Sequence, residues 1–127
     1  MNEIVVPAGI APPAANYALG VVTTEATRWL HTAGVVATRP DGSVPPSIEE
    51  QARTVWNNVG AILEAAAMPI ASVVNVTTYV VAGVHLAPVM AARDRFMDGH
   101  LAASTLVVVP ALARPDWLVE ISLVAAR

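Results

Sequence analysis

A chain of 127 residues with 55% hydrophobic and 13% charged residues is long enough for one domain but too small to bury all of its apolar side chains. The net charge of −3 and the seven basic residues, all arginine, argue against a nucleic-acid surface and exclude a Schiff-base lysine. The absence of cysteine excludes disulfides and thiolate metal sites. We therefore expect a single domain over residues 1–127 that buries its remaining apolar surface in an oligomer.

The longest apolar runs do not predict a membrane helix. The run SVVNVTTYVVAGV contains Asn75, Thr77 and Thr78 and is rich in β-branched residues, which favour strands. The first residues include Glu3 and no basic segment, so they do not predict a secretory signal. We expect a soluble, cytoplasmic protein without a membrane partner.

Two strands are predicted before the first helix. A proline-rich loop at 11–16 precedes the strand YALGVVTT, and RWLHTAGVVA at 28–37 follows it. Gly34 interrupts the second strand, which indicates a bulge or a close approach of the backbone to another group. The segment RPDGS at 39–43 is typical of a tight turn.

The clearest helix begins after this turn. Ser47 and Glu50 form an S-x-x-E capping box, and apolar residues then recur at three- and four-residue steps from Ile48 to Ala66. Met68-Pro69 ends the pattern. A strand at 72–81, a second helix at 86–97 and two strands at 104–109 and 117–124 complete the prediction, with Arg93 and Arg95 on exposed positions of the second helix.

This order of elements predicts an α+β fold. Two helices packed on one face of one mixed β-sheet form a two-layer sandwich. The other face of the sheet would then be bare, although the final strands are apolar on both sides. That combination is a second indication of burial between subunits.

Glu120 is the candidate catalytic residue. It lies between Val119 and Ile121 in an otherwise apolar strand, where a carboxylate is costly to bury unless it is hydrogen-bonded or neutralised. Such a carboxylate suits general acid/base chemistry. The alternatives are a solvent-facing edge position or a structural hydrogen bond.

Other catalytic patterns are weak or absent. The three histidines, at 31, 85 and 100, lack the spacing of a helical metal site, so no metal is expected. No G-x-S-x-G elbow or phosphate-binding glycine loop is present. Tyr17 could donate a hydrogen bond in a pocket or belong to an interface, and the three tryptophans are most simply core or interface anchors.

Seven blocks of the sequence, in order, resemble the RidA/YjgF/Rid family of small imine- and enamine-handling proteins. They include APPAANYALGVV, WLHTAGVVATRPDGSVP, SIEEQARTVWNNVGAILEAAAM, VVNVTTYVV and ALARPDWLVEISLVA. The resemblance implies a chorismate-mutase-like fold, a homotrimer, clefts between subunits and no cofactor. It also implies that Tyr17 projects into the cleft, that the Gly34 backbone faces the ligand, and that Glu120 positions or activates the water that attacks an imine carbon.

The chain departs from the deaminating members of this family at their carboxylate-binding arginine. That arginine binds the α-carboxylate of a 2-imino acid, and its position falls here on Ser104, or on Ala103 if the register slips by one. The asparagine of the second helix becomes Met90, and the cysteine or threonine after the arginine becomes Leu106. Ser104, Thr105 and the Gly34 backbone are then expected to orient the polar end of the substrate.

The resemblance and its departure together predict an enzyme for a small enamine, imine or related electrophile without an α-carboxylate, with Glu120 as general acid/base. The reaction could be hydrolysis, tautomerisation or elimination. Two alternatives stay open: a 2-imino acid deaminase in which Arg28 or Arg114 replaces the missing cation, and a non-catalytic trimer that binds or responds to a small metabolite. A ribonuclease fits an acidic chain without lysine poorly.

Overall fold

The computed structural model describes all 127 residues, in seven strands and two α-helices. The strands are β1 (Asn2–Ile4), β2 (Val21–Thr23), β3 (Trp29–His31), β4 (Val35–Val36), β5 (Val73–Val81), β6 (Ala103–Val109) and β7 (Val119–Ala126). The helices are α1 (Ile48–Ala65) and α2 (Leu86–Met97), and a 3₁₀ turn at Ile70–Ser72 leads into β5.

The main sheet contains five strands and is mixed. Its order is β3-β7-β5-β6, and β4 also pairs with β7. Strand β5 runs parallel to β6 and antiparallel to β7. One core cluster joins Val55 and Val59 of α1 and Val89 of α2 to Val80 and Ile121 of the sheet, so both helices pack on the same face. The predicted two-layer α+β sandwich is confirmed.

Helix α1 begins as its sequence predicts. The Ser47 hydroxyl accepts a hydrogen bond from the Glu50 backbone N–H at 3.2 Å, which satisfies one of the free donors of the first turn. The Glu50 carboxylate does not turn back to close a full capping box and instead pairs with Arg39 at 3.2 Å. Helix α2 has the predicted bounds of 86–97.

The turn before α1 is held by Asp41 and Ser43. Asp41 Oδ1 accepts hydrogen bonds from the Ser43 hydroxyl at 2.6 Å and the Ser43 backbone N–H at 2.9 Å. These bonds stabilise the ionised carboxylate, so they lower the pKa of Asp41 below its usual value of 3.8. Gly42 between them has φ +86°, a conformation that favours glycine.

The first predicted strand does not join the main sheet. Only Val21–Thr23 forms a strand, and it pairs antiparallel with Asn2–Ile4, a strand that the sequence pattern did not predict. The Ala18 N–H donates to the Ala102 carbonyl at 2.9 Å, which holds the start of this segment against the edge of β6. The N-terminal residues therefore form a separate two-stranded ribbon beside the sheet.

The predicted strand at 28–37 is divided into β3 and β4. His31 pairs with Val124 and Val35 pairs with Ile121. The chain therefore advances four residues from β3 to β4 while β7 advances three. One extra residue therefore lies between the two strands, which is the arrangement of a β-bulge. The expectation of a bulge near Gly34 is confirmed.

One predicted surface residue is buried. Arg93 retains 7% exposure and donates to Asp94 Oδ1 through Nε and Nη2, at 3.1 and 2.9 Å. It lies four residues from Val89 and four from Met97, so all three share the inward face of α2. The prediction that Arg93 is exposed was wrong, because it rested on the charge of the side chain and not on its spacing from Val89 and Met97. Arg95 is exposed as predicted.

No helix in the chain combines the length and the apolar character that a membrane span requires.

Gln51 links the beginning of α1 to the loop that enters β7. Its fully buried amide nitrogen donates to the Pro45 carbonyl at 2.9 Å and to the Asp116 carbonyl at 2.7 Å. Its amide oxygen accepts from the Leu118 N–H at 2.9 Å. This single side chain therefore satisfies three backbone groups, two of which lie just before the strand that carries Glu120.

We predict that Gln51→Leu lowers the free energy of unfolding by about 3 kcal/mol or more, because it leaves buried backbone groups without partners. Urea unfolding followed by circular dichroism measures the change. Asn57→Ala, on an exposed position of the same helix, is the control and should stay within about 0.5 kcal/mol of the parent. An equally stable Gln51→Leu protein would contradict this assignment.

Candidate functional site

The face of the main sheet opposite the helices carries the candidate site. Residues that alternate with the core-facing ones point to this side, because successive side chains of a strand point to opposite faces. We call it the open face. It is formed by Trp29, His31, Val36, Asn75, Thr77, Tyr79, Val81, Ala103, Thr105, Val107, Val109, Glu120, Ser122 and Val124. All of these side chains are half-buried or exposed.

Glu120 and Gly34 are in direct contact on the open face. A Cβ atom built on Gly34 would lie 2.7 Å from Glu120 Cδ and 3.2 Å from Glu120 Cγ. No side chain fits there unless the carboxylate moves. The bulge between β3 and β4 thus brings bare backbone against the only acidic residue in the five strands of the main sheet.

Glu120 is half-buried and has an apolar and an aromatic neighbour across the sheet. Its register partners are Val36 of β4 and Tyr79 of β5. Directly paired side chains of an antiparallel sheet lie with their Cβ atoms about 5 Å apart. None of the three ion pairs of the chain involves Glu120. Its carboxylate is therefore available to a ligand or a water molecule.

Three hydroxyl groups lie in a row next to Glu120. Thr77 of β5 is the register partner of both Thr105 of β6 and Ser122 of β7. Ser122 is two residues beyond Glu120, so this row is about 7 Å from the carboxylate along the strand. Thr105 was a predicted site residue, whereas Thr77 and Ser122 were not. The polar alternation of Asn75, Thr77 and Tyr79 in β5 is the signal that could have found Thr77.

The strand register places Ser104 and Leu106 on the side of β6 that faces the helices. Ser104 pairs with Val76 and Leu106 pairs with Thr78, so both face the helices. Leu106 packs against the hydrophobic core. Neither residue shares a face with Glu120 within the chain. Thr105, one residue from each of them, does.

Met90 and Tyr17 lie away from Glu120 within one chain. Met90 is half-buried in α2, in the helical layer behind the sheet. Tyr17 is half-buried in the segment that lies along the outer edge of β6, three strand spacings from β7 and therefore about 14 Å across the sheet. Its hydroxyl oxygen accepts from the Ala14 N–H at 3.3 Å, and its ring lines an apolar cavity of about 260 Å³ formed by the N-terminal segment.

Arg28 and Arg114 do not contact Glu120. Arg28 donates to the Ala66 carbonyl at 2.7 Å, and its neighbour Trp29 pairs with Ala126 at the far end of β7. Arg114 lies 3.5 Å from the Asp116 carboxylate, and its guanidinium carbon is 5.5 Å from the centre of the Trp117 ring. Within the chain, neither cation replaces the missing arginine.

The remaining ionisable groups do not form a metal centre. No group of three or more histidine, aspartate or glutamate side chains is placed to hold a metal ion. His31 stacks on Trp29 with ring centres 6.4 Å apart, and the His100 ring nitrogen lies 2.7 Å from the Val73 carbonyl. His31 and His100 therefore have structural contacts of their own.

The fold and the open face define an α+β protein of the chorismate-mutase-like class, with one carboxylate on an uncovered sheet. The family model described as Endoribonuclease L-PSP matches residues 9–127, and the chain belongs to this RidA/YjgF/Rid family. No curated protein matches the chain.

Three solved structures illustrate the likeness. A Rid-family protein of unknown function, YyfB from Yersinia pestis, is 30% identical, with a TM-score of 0.89 over 99% of this chain and 98% of that one. YjgF from E. coli is 32% identical, with a TM-score of 0.72 over 95% and 92%. E. coli TdcF, solved with bound serine, is 26% identical, with a TM-score of 0.73 over 98% of each chain.

We predict that Gly34→Ala destabilises the protein by about 1 kcal/mol or less, because the added methyl group overlaps the Glu120 carboxylate, which must turn aside but gives up no ion pair. Gly20→Ala is the control, since its Cβ would lie 3.7 Å from Val5 Cβ, an ordinary contact. Thermal unfolding measures both. Adding Glu120→Ala to Gly34→Ala should recover most of the loss, and a double variant that shows no such coupling would contradict the contact.

Proposed function

We propose that this protein is a cofactor-independent enzyme that acts on a small, uncharged imine or enamine, with Glu120 as general acid/base. The observation that carries the proposal is the pairing of Glu120 with Gly34 on an open face whose strands contain no arginine. The carboxylate has no ion-pair partner within the chain and lies on an uncovered sheet face, so it is available to a substrate and a water molecule. The absence of a fixed cation beside it disfavours a substrate with its own carboxylate.

The proposed reaction is hydrolysis of a C=N bond. Glu120 accepts a proton from water as the oxygen attacks the imine carbon and passes it to the nitrogen, which gives a carbinolamine. The carboxylate then moves the hydroxyl proton to the same nitrogen, so that the C–N bond breaks, ammonia leaves and a carbonyl product remains. The hydroxyls of Thr77, Thr105 and Ser122 can donate to or accept from neutral polar groups. That property suits a substrate that carries an amide or a hydroxyl where 2-imino acids carry a carboxylate.

We further propose that the working unit is a homotrimer with the site in the cleft between subunits. The open face exposes Trp29 (54%) and Val107 (38%), and a contact between subunits would cover this apolar surface. Tyr17 and Met90, which lie away from Glu120 in their own chain, would then complete the cleft of a neighbour. A cytoplasmic location is part of the same proposal.

Serine bound to E. coli TdcF shows that a protein of this fold binds an α-amino acid. We assign a different ligand class to this chain because no cation accompanies its carboxylate on the open face. The alternative of a non-catalytic metabolite-binding trimer is compatible with the same geometry. A ribonuclease is disfavoured by the net charge of −3 and the lack of lysine.

We predict that Glu120→Gln lowers the turnover of 2-iminopropanamide, an uncharged imine, by about 100-fold or more, because the amide cannot accept a proton. Ammonia release measured on freshly generated substrate gives the rate. Light scattering should show an unchanged oligomer. If the parent protein accelerates no small imine, and Glu120→Gln changes only ligand affinity, the binding-protein alternative is correct.

A gain-of-function substitution tests which residue occupies the position of the missing arginine. We predict that Ala103→Arg, at the one of the two candidate positions that lies on the open face, raises kcat/KM for 2-iminopropanoate at least about tenfold, because a charge-assisted pair with the substrate carboxylate forms on the Glu120 side. Ser104→Arg is the matched control and should give no gain, since that position faces the helices. A gain with Ser104→Arg alone would show that the register assignment is wrong.

A further inference from the structure

The outer surface of the helical layer contains a groove between α1 and α2. Its larger part is a cavity of about 450 Å³ whose walls include Arg53 of α1 and Arg95 of α2. A second cavity of about 370 Å³ adjoins it and shares Arg53, Ala92 and Arg95. The two arginines therefore face the same space from opposite walls. This volume lies within the range of small-molecule sites.

The floor of the groove is rigid and apolar. Trp56 and Phe96 stack with ring centres 4.7 Å apart, and Trp56 retains only 3% exposure. Gly60 makes room for this stack, since a Cβ there would lie 3.2 Å from Phe96 Cε2. The positions from which Arg53 and Arg95 project are thus fixed by core packing, although their side chains are exposed.

The charges in the groove are not balanced within the chain. Of the three arginines that line it, Arg39 pairs with Glu50 at 3.2 Å, while Arg53 and Arg95 take part in none of the three ion pairs. Glu49 and His85 also line the smaller cavity. Two guanidinium groups that converge without carboxylate partners repel each other, and a bound anion would remove that repulsion.

We propose that this groove binds a small molecule that carries a phosphate group, held between Arg53 and Arg95. A planar carboxylate is saturated by one bidentate guanidinium, whereas the terminal oxygens of a phosphate can accept from two guanidinium groups that approach from different directions. Thr54 and Asn57 on the α1 wall supply further polar groups. The Trp56–Phe96 floor offers apolar contact to the rest of the ligand.

The groove is separate from the proposed catalytic site. It lies on the outer side of the helices, and Glu120 lies on the opposite face of the sheet, so a ligand bound here is not the substrate of Glu120. The groove also stays accessible when the open faces pack together. Glu49 and Glu50 at its rim favour a small ligand over an extended polyanion such as RNA.

The test is titration calorimetry of the full-length protein with inorganic pyrophosphate and with AMP. We expect saturable binding at low salt, weakened at least about tenfold by Arg53→Gln and by Arg95→Gln, because each removes a charge-assisted hydrogen bond. Arg127→Gln, a terminal arginine outside the groove, is the control and should bind as the parent does. The measurement needs no turnover, so its result is independent of the function proposed for Glu120.

Three results would overturn the proposal. The first is no saturation by either probe up to about 10 mM. The second is binding that the Arg53→Gln/Arg95→Gln double variant leaves unchanged. The third is tighter binding of a short single-stranded RNA than of AMP, with the RNA binding abolished by the same substitutions. That result would identify a nucleic-acid surface instead.

Discussion

Strand β7 supplies residues both to the hydrophobic core and to the candidate site, because its side chains alternate between the core and the open face. Val119, Ile121 and Leu123 are at most 2% exposed beneath the helices, while Glu120 and Ser122 point the other way. A slip of one residue would bury the carboxylate and expose Ile121, so core packing holds Glu120 in place. Removing a large apolar residue from the core costs several kcal/mol, so the observed register is strongly favoured over a shifted one.

The bulge between β3 and β4 adds the second constraint. One extra residue between His31 and Val35 places Gly34 against the Glu120 carboxylate, where any side chain would collide with it. The site therefore combines a carboxylate held by core packing with bare backbone that a substrate can approach. What the open face lacks is a cation, and that absence directs the proposed chemistry towards neutral imines and enamines.

The sequence predicted the elements that have a strong local signal. The Ser47 cap, the bounds of α2 and the fold class follow from short-range patterns, and the strand position of Glu120 follows from its apolar neighbours. The side of β6 on which Ser104 and Thr105 lie could not be predicted, since that strand is apolar on both faces and only its pairing with β5 decides. The pairing of the N-terminal ribbon likewise depends on contacts between distant residues.

The most direct test of the account compares hydrolysis of 2-iminopropanoate and of its amide by the unmodified protein, with an arginine-bearing family member as reference. The two substrates differ in one charge, so their rates report whether the cleft contains a cation. We expect acceleration of the amide and little or none of the acid. Faster turnover of the acid would show that an arginine reaches the cleft, and that this protein is a 2-imino acid deaminase.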